Sequence, residues 1–131
     1  MGLDNGVEVR RNEYTNSIPE LQRFELECNN YFSVCYWRKC WNIRNDILWI
    51  LNKRFSEDYE YTLTKENIDQ IIKLLESYNA DNFEDNGSCI WDWDDEEWPY
   101  SEKIQQDIEN LKVLRQLMNE YDLEVYFYDS Y

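Results

Sequence analysis

Apolar residues recur along the chain with two different periods, and the switches between them mark out the elements. Residues 5–11, Asn-Gly-Val-Glu-Val-Arg-Arg, read as a short strand after a turn. Ser17-Ile18-Pro19-Glu20 has the spacing of a capping box with Pro just inside the helix start, so a helix to about residue 29 is expected. Residues 31–35 are aromatic and β-branched and predict a strand. From 36 to 54 the period becomes helical. Trp37, Trp41, Arg44, Leu48 and Leu51 form one stripe, and Tyr36, Cys40, Ile43, Ile47 and Ile50 form a second. Two adjacent stripes predict a central helix with a wide buried face.

Residues 59–63 alternate like a strand. Thr64 then caps an expected helix with Ile68, Ile71, Ile72, Leu75 and Tyr78 on one face. Residues 79–100 read as a long polar and aromatic loop, with room for a short strand at 89–93. Ser101 caps a last helix with Ile104, Ile108, Leu111, Leu114, Leu117 and Met118 facing inward, and 123–128 close as a strand. Helices and strands mix without strict βαβ alternation. The expectation is a single α+β domain over 1–131, with three to four helices packed on a small, mostly antiparallel sheet.

Composition narrows the chemistry. Thirteen Lys and Arg stand against 28 Asp and Glu in 131 residues, a net charge of −15, and there is no His. A general nucleic-acid binder needs a basic footprint, so direct nucleic-acid binding is not expected. With 43% hydrophobic residues the chain can build a core rather than stay disordered. No apolar run is long enough to span a bilayer, and no leader-like apolar region opens the chain. Met1-Gly2 invites myristoylation, but Gly6 stands where Ser or Thr is needed. A cytoplasmic location is therefore expected, with Cys28, Cys35, Cys40 and Cys89 as reduced thiols. Their spacing is not that of a zinc knuckle, and no His completes a site.

Two features carry candidate function. Residues 74–102 hold ten acids and no base, and so ten of the fifteen net negative charges. Trp91, Asp92, Trp93, Asp94, Asp95, Glu96, Glu97 and Trp98 interleave acids with indoles there, an arrangement that repels itself unless a basic partner or a cation relieves it. An EF-hand started at Asp92 needs Gly at 97 and Glu at 103, where Glu97 and Lys103 stand; one started at Asp81 meets Asn86 where Gly is needed. A protein-docking surface is one reading, and a solvated acidic loop whose Trp residues fold onto the core is the other.

The second feature is a charge inversion. Residues 32–54 carry Arg38, Lys39, Arg44, Lys53 and Arg54 against Asp46 alone, a local +4. On a helix, Arg38, Asn42, Asn45 and Trp49 share one face. Trp37, Arg38, Lys39, Asn42, Arg44, Asn45 and Trp49 together offer forks for phosphate, amides for a base edge and rings for stacking. The competing reading pairs these bases with acids of the fold. Catalysis is not expected: three Gly make no phosphate loop, and the missing His removes the usual nucleophile–base sets. No cofactor or metal is expected either.

Three segments together resemble a known group. The chain opens Met1-Gly2-Leu3-Asp4, carries Tyr36-Trp37-Arg38-Lys39 followed by Ile43, and closes Tyr128-Asp129-Ser130-Tyr131. It is similar to small hypothetical proteins encoded by phages and prophages, which begin Met-Gly-Leu-Asp, carry a Tyr-Trp-Arg-Lys helix and end aromatic-Ser-aromatic. Those proteins place small or Asn residues after the Lys and a His beyond, where Cys40, Trp41 and Arg44 stand here. The resemblance implies a phage or mobile-element accessory protein that counters bacterial defence in the host cytoplasm. Two mechanisms fit. One is sequestration of a small anionic, nucleotide-type immune signal at the Arg38–Trp49 face, in a pocket that a homo-oligomer can complete. The alternative is an acidic, DNA-mimic-like inhibitor of the anti-CRISPR or anti-restriction type, docking residues 91–98 on the basic groove of a defence nuclease.

Overall fold

Burial of five consecutive residues, Asn5 to Val9, marks their strand as one packed on both faces and both edges. The computed structural model, which describes residues 4–38, 40–53, 59–79 and 101–130, places that strand, β1 (Asp4–Arg10), at the centre of a five-stranded sheet. β1 pairs with β3 (Tyr31–Arg38) on one side and β5 (Val125–Ser130) on the other. Short strands β2 (Glu25–Glu27) and β4 (Glu60–Thr62) form the two edges, giving the order β2-β3-β1-β5-β4, antiparallel throughout. Edge strands of three residues leave little unpaired backbone to recruit a foreign strand.

The α+β expectation is met. α2 (Trp41–Ile50), α3 (Lys65–Ser77) and α4 (Ser101–Glu120) form a layer on one face, with α4 on β3, α3 against α4 and α2 against α3. Thr64 caps α3 as its sequence requires, accepting from the Asn67 amide while Asn67 returns the bond. The inward stripe of α4, from Ile104 to Met118, is buried. A short helix, α1 (Glu13–Asn16), follows β1.

The chain departs from its apolar pattern in two places. The 17–29 stretch is not one helix. The working capping box is Asn12 with Thr15, which starts the single turn of α1. Pro19–Arg23 is a 3-10 turn whose N-cap, Ile18, has no side-chain acceptor. Beyond it Cys28 and Asn29 take positive φ of 51° and 60°, turning the chain so that β2 pairs with β3. The expected 36–54 helix is likewise divided, because β3 continues through Arg38 and α2 begins at Trp41. A bulge in the β1–β3 register between Val7 and Glu8 leaves Val34 as the extra residue. It switches the inward phase of β3, so that Phe32 and Val34 and then Cys35 and Trp37 are all buried. β5 begins two residues later than its pattern suggests.

The two faces of the sheet differ in kind. Trp37, Cys35, Val7, Phe127 and Tyr61 turn towards the helices and join the apolar core. Cross-strand register puts Asp4, Gly6, Glu8 and Arg10 of β1 on the other face, with Tyr36, Tyr31, Tyr128, Tyr126 and Glu60 from its neighbours.

Candidate functional site

The residues singled out by the sequence fall into three places. Trp37 points from β3 into the core with no exposure, and its indole N–H donates to Asp107 Oδ2 of α4 at 2.8 Å. Arg38, the next residue, lies on the opposite side of the strand and is exposed. It is not helical, so the shared face it was to form with Asn42, Asn45 and Trp49 does not exist; the strand's two-residue period has replaced the helical one. Arg44 is buried on α2 and donates from Nε to Asp129 Oδ1 of β5 at 2.8 Å. Its guanidinium also lies over the Trp41 ring, 5.2 Å from the centroid, and donates to Asn45 Oδ1. Asn42 is half-buried. Lys39 and the acidic block Trp91, Asp92, Trp93, Asp94, Asp95, Glu96, Glu97 and Trp98 lie outside the described residues.

Trp37 and Arg44 belong to a buried polar row that sequence reasoning did not reach. Register sets Asn5 directly between Trp37 on β3 and Asp129 on β5, all three under the helices. At one end Asp107 accepts from Trp37 and from the Lys103 ammonium one helical turn away. Burial pushes the Asp107 carboxyl above its usual range, while Lys103 and Trp37 oppose the shift. Cys35 Sγ approaches the Asp107 carbonyl, and burial raises its thiol well above normal, which leaves it protonated and unreactive. At the other end stands the Arg44–Asp129 pair. Between them, among the described residues, the Asn5 amide meets no hydrogen-bond partner at either atom, and Asp129 Oδ2 meets none. The row is an internal clamp joining three strands to two helices, and both of its cations are spent on its carboxylates.

Asn45 and Trp49 are placed differently. The Trp49 side chain is 82% exposed, far beyond what a large indole adopts in a core. It stands as a ridge between two hollows. One, of about 380 Å³, is lined by Asn45, Leu48, Asn52 and Lys53. The other, of about 490 Å³, lies between α2 and α3 beside Gln70, Lys73, Leu74 and Ser77. The end of α2 fixes this arrangement. Asn52 takes φ 59°, its amide donates to the Trp49 carbonyl, and the Lys53 amide donates to the Leu48 carbonyl at 2.8 Å. That is a Schellman closure, and it anchors Lys53 beside the ring. Among the described residues neither Lys53 nor Lys73 has an ion-pair partner. Asp46 faces the same groove, but Tyr78 Oη donates to its Oδ2.

An exposed ring between two ammonium groups that have no ion-pair partner among the described residues, with the amides of Asn45, Asn52 and Gln70 beside it, can stack a flat ligand and neutralise an anion. Lys73 and Gln70 were missed because their partnership with Trp49 depends on how α3 packs on α2, and no short-range spacing encodes that. Among the described residues no group of three or more Cys, Asp or Glu side chains is placed to hold a metal ion, and no helix is long and apolar enough to cross a membrane. Comparisons with protein-family models, curated proteins and solved structures find no match to this chain.

Proposed function

We propose that the protein is a non-enzymatic binder that captures a small anionic ligand carrying an aromatic ring, of nucleotide type, in the α2–α3 groove around Trp49. The observation that carries this reading is Trp49 itself, an indole 82% exposed with Lys53 and Lys73 lining the hollows on its two sides. The chain's charge of −15 repels anions at a distance, so affinity must come from short-range contacts that converge. Stacking and two or three charge-assisted bonds supply roughly the surplus needed for micromolar binding after association costs. Of the residues expected to bind, Asn45 and Trp49 serve this site, while Trp37 and Arg44 act beneath it as structure.

The biological setting rests on the resemblance to phage-encoded proteins. In that setting the captured ligand is a nucleotide immune signal, held in the bacterial cytoplasm away from its receptor. Calorimetry of the full chain against cyclic and linear nucleotides tests the reading. At least one should bind, and Trp49→Ala should weaken it about tenfold or more, as loss of a stacking platform does. Absence of heat with every nucleotide refutes it.

A further inference from the structure

The face of the sheet turned away from the helices has its own chemistry. Tyr128 lies over Gly6, where a Cβ would come within 3.0 Å of its ring, and Tyr59 stacks on Tyr128 at 6.2 Å between centroids. Tyr31 on β3 donates to Glu60 on β4 at 2.9 Å, a clasp that crosses the two intervening strands. Glu8 is flanked in register by Ser33 and Tyr126 and is only 4% exposed. No hydrogen-bond donor among the described residues reaches its carboxyl group.

A carboxyl group buried without a donor is costly, and its surroundings make it more so. Burial, then Glu60, then Glu27 push its pKa up to about 7, and only Arg10 acts the other way. Arg10 itself lies over the Tyr126 ring at 5.5 Å, with its Nε 3.8 Å from Glu124 Oε2. Burial, with Glu27 and Glu8 beside it, also raises the Tyr128 phenol far above its normal range. Three carboxyl groups and several tyrosines thus gather at Glu8, and Arg10, held over Tyr126 and beside Glu124, is the one cation among the described residues that acts on it. Exposed Tyr36 and Tyr59 and the exposed acids Glu25 and Glu27 extend the same character to the rim.

We propose that this face is a docking surface for a basic segment of a partner protein, with a Lys or Arg side chain entering over Glu8 when the Tyr31–Glu60 clasp opens. Charge complementarity selects that occupant. An ammonium or guanidinium gains cation–π contact with the exposed rings of Tyr36 and Tyr59 and supplies the donor that Glu8 lacks among the described residues. An anion or an apolar strand would leave the three carboxylates more poorly solvated than before. This surface lies on the side of the sheet opposite the Trp49 groove, so the two proposals stand or fall separately.

A fluorescently labelled hexa-arginine peptide, titrated into the full chain and read by anisotropy, tests the proposal. Simple attraction to an acidic protein is controlled by comparing two variants. Glu8→Gln/Glu27→Gln/Glu60→Gln removes three charges from the sheet face, and Asp94→Asn/Asp95→Asn/Glu96→Gln/Glu97→Gln removes four from the acidic block. The face variant should lose about tenfold in affinity and the block variant less than about threefold, because a fitted site depends on position more than on total charge. Tyr36→Ala/Tyr59→Ala removes two exposed rings, with the Tyr36 bond to Asp4 and the Tyr59 stack on Tyr128, keeps the charge and should cost about threefold. That variant also decides the matter if the triple Gln chain does not fold. No binding to the natural chain, losses that merely follow the number of charges removed, or full affinity in the double Tyr variant would each overturn the proposal.

Discussion

Arg44 and Asp129 lie 85 residues apart and meet inside the protein, Nε to Oδ1 at 2.8 Å, with the carboxylate fully shielded and the guanidinium nearly so. The pair ties α2 to β5, and the Trp41 ring covers its guanidinium. Removing one partner strands the other charge in the interior. Arg44→Ala should therefore destabilise by about 3–5 kcal/mol in denaturant unfolding. Arg44→Met combined with Asp129→Leu should recover much of that loss, since an apolar replacement of both partners leaves no buried charge. A single variant that unfolds like the natural chain would show the pair to be open to solvent.

Trp37 to Asp107 is the matching tie at the other end of the row. Trp37→Phe keeps most of the ring volume and removes the donor to Asp107 Oδ2. A loss of about 1–3 kcal/mol is expected, the cost of a buried acceptor left short of a bond. Lys103→Met should add to it in a non-additive way, because both side chains serve the same carboxylate. A double-mutant cycle measures the coupling.

Gly6 has no room for a side chain. A Cβ there would stand 2.1 Å from the Cys35 carbonyl oxygen and 3.0 Å from the Tyr128 ring. The first neighbour is backbone of the adjacent strand and cannot swing aside. Gly6→Ala should cost about 3 kcal/mol or more through displacement of β1 from β3. Thermal unfolding with little change in midpoint would contradict the close approach.

Stability should fall as pH rises through neutrality, and Glu8 sets the window. Its folded pKa of about 7 stands above its ordinary 4.5. Between those values the folded chain holds a proton that the unfolded chain releases. The associated stability is complete below about pH 4.5 and is lost as pH climbs through about 7. Asp107, also raised, contributes in the same direction. Glu8→Gln should flatten this part of the profile and leave the variant more stable than the natural chain by on the order of 2 kcal/mol at pH 8. Parallel profiles for the two chains would show the Glu8 carboxyl to be solvated.

The helices α3 and α4 were legible because each has one apolar stripe at helical spacing and one partner layer to bury it. The Thr64 cap was legible for the same local reason. The segment from Tyr36 to Arg38 was misread because its apolar positions fit i, i+4 with those of α2 while also completing the inward positions of β3 beyond the bulge. Only strand pairing decides between the two, and pairing is a long-range property. The same holds for Asn5, Asp107 and Asp129, whose roles arise from register across three strands. Trp49 was visible as a candidate, but its isolation from the core and its company with Lys73 became apparent only with α3 in place.

The central claim is that Trp49 is a ligand platform and Trp37 a structural anchor. The indole region of a two-dimensional nitrogen–proton NMR spectrum reports on all six Trp at once. Titrated with the nucleotide panel, at least one member should shift the Trp49 indole signal and the Lys53 and Lys73 amides, with the Trp37 indole unmoved. A spectrum that no nucleotide changes, or one in which Trp91, Trp93 and Trp98 shift while Trp49 stays still, would contradict the account.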